Sequence, residues 1–381
     1  MTIDPQDLLE RLIARPSVTP EAAGVLELLG AELAAIGFSV THLRFDGDGS
    51  YPVDNLFATR GNGGKRLLFA GHTDVVPPGD VAQWTSDPFV PRVADGRLYG
   101  RGAADMKSGV AAFVAAASRL PAEAGTIQLA ITNDEEADAI NGTEKLVRWM
   151  ADNGHGFDFA IVGEPSSAEV LGDSIKIGRR GSFSGEVRVK GVQGHVAYPH
   201  KANNPLPVLA AVLTALSTEK LDGGTAHFPA SNLEVTTVDV GNPTGNVIPG
   251  AGTLKFNIRY NDTWTPETLA DWVRARIASV DAHGTHIDFA VSGTPSRAFL
   301  SPLSGDVDTL SDAIEAVAGR RPEYSTGGGT SDARFIAEYG PVVECGLVGP
   351  SMHKADEHIA LSDLRGLADI YETFMKRYFG P

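Results

Sequence analysis

Three apolar runs in this chain end in residues that could do chemistry. Gly71-His72-Thr73-Asp74 follows the run that closes at Ala70. Asn133-Asp134-Glu135-Glu136 follows residues 127–132, and Gly163-Glu164-Pro165-Ser166 follows residues 157–162. Two further segments join them. Asp105 closes the glycine-rich Gly100-Arg101-Gly102-Ala103-Ala104-Asp105, and His353 stands in Met352-His353-Lys354. In extended chain His72 and Asp74 share a face, so the carboxylate can orient the imidazole or stand beside it as a ligand. The adjacent acids 134–136 repel one another, and a cation would offset that repulsion. One of them could then bind metal while its neighbour acts as general base. Each segment alone reads as an ordinary turn, an N-cap or a solvated acidic stretch. Together they place His and carboxylate groups where open α/β sheets gather ligands, at the carboxyl ends of strands.

The donor set narrows the metal. Cys345 is the only cysteine, which excludes an intramolecular disulfide and a Cys-rich zinc site. Any metal must be held by His, Asp and Glu, a set that suits Zn²⁺ or similar ions. Two histidines with several carboxylates can supply two metals that share a bridging carboxylate, and two-metal sites suit hydrolysis. Other short signatures are missing: there is no Gly-x-Ser-x-Gly elbow, no H-E-x-x-H and no Walker A loop. Residues 100–105 nearly match a dinucleotide fingerprint, but Asp105 stands where the third glycine belongs and would repel a pyrophosphate.

Elements with two different textures must position these groups. Residues 4–13 form an amphipathic helix, with Asp4 as N-cap, Pro5 in the first position and Leu8, Leu9, Leu12 and Ile13 on one face. Helices over 21–36, 108–120 and 143–151 alternate with buried strands over 66–70, 127–132 and 157–162, which predicts an α/β sheet covered on both faces. From about residue 180 the strands alternate apolar and polar residues instead: 182–190, 233–240, 253–260 and 287–291. With helices at 206–216 and 266–280 (Thr265 as N-cap), their order is the ferredoxin-like split βαβ. Residues 292–302 read as the return linker, and helices near 307–318 and 362–378 rejoin the first part.

At 381 residues the chain has room for two or three domains of roughly 150 residues each. A 42% hydrophobic and 21% charged composition is ordinary for a globular protein. With 48 acidic and 32 basic residues, the net charge of −16 argues against nucleic-acid binding. The acidic N-terminal residues do not resemble a targeting signal, and the apolar runs are too short to span a bilayer, so a cytoplasmic location with no membrane partner is expected.

The segments also carry a resemblance. Phe69-Ala70-Gly71-His72-Thr73-Asp74-Val75-Val76-Pro77, Gly100-Arg101-Gly102-Ala103-Ala104-Asp105-Met106-Lys107-Ser108-Gly109 and Thr132-Asn133-Asp134-Glu135-Glu136-Ala137 resemble blocks of the two-zinc amidohydrolase and exopeptidase superfamily. That superfamily includes acetylornithine deacetylase, aminoacylase and glutamate carboxypeptidases. Gly163-Glu164-Pro165-Ser166 and Gln193-Gly194-His195-Val196-Ala197-Tyr198-Pro199-His200 extend the likeness. Lys176-Ile177-Gly178-Arg179-Arg180-Gly181-Ser182 and Gly328-Gly329-Thr330-Ser331-Asp332-Ala333-Arg334-Phe335 resemble its desuccinylase branch.

The resemblance implies an α/β zinc-hydrolase catalytic domain over 1–179 and 295–381, with a mixed sheet flanked by helices. It implies an inserted ferredoxin-like α+β dimerisation and lid domain over 180–294. His72, Asp105 and Glu164 would hold one Zn²⁺, and Glu136, Asp105 and His353 the other, with Asp105 bridging and Co²⁺ as a possible substitute. Asp74 would orient His72, and Glu135 would be the general base. The peptide after Asp105 is often cis in this superfamily. His195 would reach the active site of the partner in a homodimer and polarise the scissile amide.

The implied substrate is N-succinyl-diaminopimelate, a small anion with three carboxylates. Lys176, Arg179, Arg259 and Arg334 match anion-binding positions, with Tyr198, Asn246, Gly329 and Thr330 beside them and Arg180 and Ser182 nearby as contacts or turn residues. Gly349 departs from the pattern: many desuccinylases carry a substrate-touching Asn there. Two other readings stand beside this one, a deacylase of another N-acyl amino acid such as N-acetylornithine and a non-catalytic metal-dependent binding protein.

Overall fold

Strands of unbroken apolar residues must be covered on both faces, whereas alternating ones can leave a face to water. The computed structural model, which describes residues 1–61 and 63–380, contains one unit of each kind. The first comprises Met1–Ile177, Ser301–Ser325 and Ser331–Pro381; the second comprises Gly178–Leu300 and Thr326–Thr330.

The first unit is built on an eight-stranded mixed sheet in the order Ser39–Gly47, Ser50–Arg60, Thr126–Thr132, Arg66–His72, Phe159–Val162, Val342–Glu344, Ser174–Lys176, Glu323–Ser325. Its centre is parallel, and every residue of Thr126–Thr132 and Phe159–Val162 is buried. Helices Pro5–Ile13, Ser108–Ser118, Gly305–Ala318 and Leu361–Phe379 pack together, while Thr143–Asp152 packs with Thr126–Thr132 and the short helix Ala333–Ile336. The α/β fold with a mixed sheet flanked by helices is therefore as expected. Helix Ser108–Ser118 is buried around almost its whole circumference, which its small residues permit. Phe113 stacks on Phe69 with ring centroids 4.2 Å apart, and Tyr371 meets both edge-on. At Gly109 the helix touches bare main chain: a Cβ there would lie 2.3 Å from the Gly163 carbonyl oxygen.

The second unit is a β-α-β-β-α-β segment: Gly181–Lys190, Leu206–Ser217, Asn232–Asp239, Ala251–Tyr260, Pro266–Ala278 and His286–Ser296. Its antiparallel sheet runs Asn232–Asp239, Ala251–Tyr260, Gly181–Lys190, His286–Ser296, the split βαβ strand order. Phe183, Val187, Val189, Leu254, Phe256 and Ile258 turn one face onto Val208, Val212, Leu269 and Val273 of the helices.

Local signals were accurate at two helix starts. Asp4 accepts from Gln6 N and Asp7 N with Pro5 in the first turn, and Thr265 forms a capping box with Thr268. Several expectations need correction. The helix expected over 21–36 is Val25–Ala35, because Ala23 and Gly24 turn left-handed (φ 51° and 77°) immediately before it. The hairpin of Ser39–Gly47 and Ser50–Arg60 was not anticipated, although the turn Asp46-Gly47-Asp48-Gly49 signals it. Residues 292–302 are not a plain linker: strand His286–Ser296 continues into them and Phe299–Leu300 pairs with Gly178–Arg179. Among the described residues, no helix is long and apolar enough to cross a membrane.

Candidate metal centre

Sheet register brings the first groups together. Arg66–His72 pairs in parallel with Thr126–Thr132, with His72 opposite Thr132, and with Phe159–Val162, with Ala70 opposite Val162. His72, the 133–136 turn and Gly163-Glu164 therefore leave the same edge of the sheet. The loop of Asp105 arrives before helix Ser108–Ser118. Asp105 has extended backbone (φ −121°, ψ 107°), its peptide to Met106 is cis, and no side-chain bond caps the helix, so the N-cap alternative is not realised.

Two clusters result, and they share Asp105. His72 Nε2 is 3.2 Å from Asp105 Oδ1 and 3.4 Å from Glu164 Oε1. His353 Nε2 is 3.3 Å from Asp105 Oδ2 and 3.1 Å from Glu136 Oε1. Each oxygen of one carboxylate thus faces a different imidazole. Donor atoms of His72, Asp105 and Glu164 lie within 4.8 Å of one another, as do those of Asp105, Glu136 and His353. Those of His72, Glu135 and Glu136 do so too, which sets Glu135 beside the shared centre. His353 has φ 61°, an uncommon conformation for a non-glycine residue, and functional sites concentrate such residues.

The electrostatics are those of a cluster organised around positive charge. Burial works against a charged His72, but hydrogen bonds to Asp105, Asp74 and Glu164 outweigh it and raise its pKa well above the ordinary value. Hydrogen bonds to Asp105 and Glu136 raise His353 to about 10. Burial opposes ionisation of Asp105, yet its bonds to His353 and His72 win and lower its pKa. Glu164 goes the other way, to about 8, through burial and the charge of Asp105. Glu135 is pushed well above the carboxylate range by loss of solvent and by the Glu164 charge. Protons here balance a surplus of carboxylate, and a divalent cation would do so directly. All-N/O donors in two groups of three around one shared carboxylate fit a pair of zinc-like ions.

Asp74 does more than the His-x-Asp spacing suggests. His72 Nδ1 is 3.0 Å from the Asp74 carbonyl oxygen and 3.5 Å from its carboxylate. The carboxylate accepts from Thr19 Oγ1 at 2.7 Å and from the main-chain N–H groups of Glu135 and Glu136 at 3.2 and 3.1 Å. It therefore fixes the 135–136 turn as well as the imidazole.

The other expected residues divide between the units. Lys176 and Arg334 lie in the first; Lys176 Nζ donates to Ser325 Oγ at 3.1 Å, and Arg334 sits over the Phe335 ring. Arg179, His195, Tyr198, Asn246, Arg259, Gly329 and Thr330 lie in the second. Arg179 Nη1 donates to the carbonyls of Gly327 and Gly329 at 3.4 and 3.1 Å, shaping that loop. Arg259 is half-buried, and burial and the Arg180 charge lower its pKa; Ser182 stands opposite it in register. Tyr198 and Asn246 are exposed. So is His195, whose Nδ1 accepts from Ala197 N at 3.0 Å. With Nδ1 accepting, the ring proton lies on Nε2, which can donate. At Gly349 a Cβ would stand 2.8 Å from Pro165 Cβ, so a larger residue there requires Pro165 to shift.

Two buried acids were missed. Asp332, raised to about 6 by burial against the opposing charge of Arg334, adds its charge to that felt by Glu135. Its signal was its place in the Gly-Gly-Thr-Ser-Asp block. Glu357 accepts hydrogen bonds from the Asp105 loop, and its signal was its spacing of four from His353.

Residues 68–377 match Peptidase family M20/M25/M40. The chain is 52% identical over 377 residues to a succinyl-diaminopimelate desuccinylase of Gluconacetobacter diazotrophicus, covering 98% of this chain and 96% of that one. It is 50% identical over 380 residues to the enzyme of the same name from Methylorubrum populi, covering 98% of both. Among solved structures, an M20 family metallo-carboxypeptidase, Sso-CP2 from Sulfolobus solfataricus, has a similar fold. Its TM-score is 0.78 at 16% identity, with 99% of each chain covered.

Proposed function

Because this chain belongs to peptidase family M20/M25/M40, we propose from its site and its relatives that it hydrolyses N-succinyl-LL-2,6-diaminopimelate to succinate and LL-2,6-diaminopimelate. It is a metal-dependent amide hydrolase, and the reaction is a step of lysine and diaminopimelate biosynthesis. The observation that carries the hydrolytic reading is Asp105, with one oxygen toward His72 and the other toward His353. The substrate follows the relatives, whose shared name does not favour an N-acetyl substrate.

His72, Asp105 and Glu164 would hold one Zn²⁺ and Asp105, Glu136 and His353 the second, with Co²⁺ able to take their place. Bound there, such ions lower the pKa of a water and polarise an amide carbonyl. Glu135, beside both clusters and with a raised proton affinity, takes a proton from the attacking water. The hydroxide oxygen bonds to the carbonyl carbon, the C–N bond breaks, and Glu135 returns the proton to the leaving amine. Asp74 holds the main chain of Glu135 and Glu136 in place throughout.

The substrate carboxylates are recognised by Lys176, Arg179, Arg259 and Arg334, with Tyr198, Asn246, Gly329 and Thr330 as hydrogen-bonding partners. The second unit serves as dimerisation and lid domain of a cytoplasmic homodimer. His195 of one subunit would donate its Nε2–H to the carbonyl oxygen in the other's site. The test is a panel of N-succinyl and N-acetyl amino acids with metal-loaded and chelator-treated protein. Turnover of N-succinyl-diaminopimelate that chelator abolishes is expected. Preference for an acetyl substrate, or indifference to chelator, would overturn the reading.

A further inference from the structure

The loop that carries Asp105 lacks the usual partners for its main chain. Gly102 is left-handed (φ 82°), Asp105 is extended, and while Ala103 N donates to the Gly100 carbonyl at 3.1 Å, the N–H groups of Gly102, Ala104 and Asp105 turn to a side chain. Buried donors of that kind need acceptors. One side chain supplies them. Glu357 Oε1 accepts from Ala104 N at 2.8 Å and from Asp105 N at 3.1 Å. Its Oε2 accepts from Gly102 N at 3.1 Å and from Arg101 Nη1 at 2.6 Å. Its carbonyl oxygen accepts from Gly100 N at 2.9 Å.

Glu357 is itself fixed. It is 1% exposed and Arg101 2% exposed. The Arg101 guanidinium lies 5.1 Å over the Trp84 ring and also donates to the Lys354 carbonyl at 3.3 Å. A buried ion pair is weak grounds for a stabilising role, since apolar residues could fill the same space. Apolar residues could not accept three main-chain N–H groups from consecutive turns of one loop. Glu357 also follows His353 by four residues. A single carboxylate thus joins the main chain of the shared Asp105 to the segment that supplies His353.

We propose that Glu357, held by Arg101, is a positioning residue for the metal centre, setting the Asp105 main chain relative to the His353 segment. The proposal rests on the metal-site reading above. The test titrates metal-free full-length protein with Zn²⁺ alone by calorimetry, well below the unfolding temperature. Glu357→Gln, which keeps the volume but cannot accept with both ends, is expected to weaken zinc binding by about 10–100-fold. Glu357→Asp, which keeps both acceptors on a shorter arm, should recover part of the affinity. The core variant Ile314→Val measures what stability loss alone does, and its zinc affinity should equal that of the wild type. If Glu357→Gln does not fold, Arg101→Lys, with the charge kept and the fork lost, is expected to shift zinc affinity in the same direction. Zinc affinity within twofold of wild type in the folded variants overturns the proposal alone. Failure of the wild type to bind zinc overturns the metal reading and this proposal with it.

Discussion

The two histidines of the centre live in different surroundings. The His72 side chain is 1% exposed, ends a central strand, and is enclosed with Glu164, Asp105 and Asp74. His353 is 48% exposed and sits on an irregular segment in a left-handed conformation. Both face the same carboxylate at nearly the same distance. One side is made by the sheet, which would exist without any metal. The other is made by a surface segment tied back by hydrogen bonds. Half of the candidate centre is therefore enclosed by the sheet, and the other half is left within reach of solvent.

The comparison is tested hardest at Glu135, which neighbours both sides. Glu135→Gln should lower kcat by about 10²–10⁴-fold, the usual span for a general base. Metal analysis should find both sides loaded as in the wild type. Loss of metal from either side would show that Glu135 is a ligand instead. The next effect is on stability. In metal-free protein, His72→Ala removes a buried partner from several carboxylates and should cost about 3–5 kcal/mol, the range for breaking a buried pair. His353→Ala, half in water and more screened, should cost less than His72→Ala. Denaturant unfolding checks both, and equal costs would remove the distinction between the sides.

The smallest effect is on pH dependence. His353 titrates at about 10 in the metal-free fold against an ordinary 6.5. Its protonated form stabilises the fold fully below about 6.5, and that contribution is lost as pH rises through about 10. Glu164, raised from 4.5 to about 8, acts in the same direction, because ionising it in the fold is costly. The unfolding temperature of chelator-treated protein should therefore fall as pH rises from 6.5 toward 10. With zinc bound in place of those protons, the fall should be much smaller. A flat profile without metal would mean that these groups are not held by one another.

The same contrast explains what could be read from the chain alone. The sheet side is legible because apolar runs and the polar residues at their ends are contiguous in sequence, so the segments of His72, Glu135, Glu136 and Glu164 stand out as a set, while their separate roles come from the resemblance. His353 lies more than 180 residues from Glu164, and only the fold and a resemblance connect it to the rest. Glu357 was hidden because, apart from Arg101, its partners are main-chain N–H groups, and its spacing of four from His353 is a weak signal alone. Asp74 was read as a partner of His72, but its hold on the 135–136 turn escaped, since those bonds are to backbone. The first hairpin was lost because its outer strand, Ser39–Gly47, is mostly exposed and carries no buried run. Helix Val25–Ala35 began late because a left-handed pair interrupts a stretch whose composition is helical throughout.

The contact between Gly109 and Gly163 has a consequence for which ions the centre can admit. Main chain meets main chain there with no side chain between, and close-packed atoms do not compress. Gly163 carries Glu164 next in sequence, and Gly109 is the second residue of the helix that follows the Asp105 loop. The contact is therefore a hard stop that sets the least distance between the two carboxylate-bearing segments. It resists approach and not separation, so the two segments cannot draw in around a smaller cation there. With the proposed ligands, adjustment to a different ion would have to come from the His353 flank, whose side chain is within reach of water.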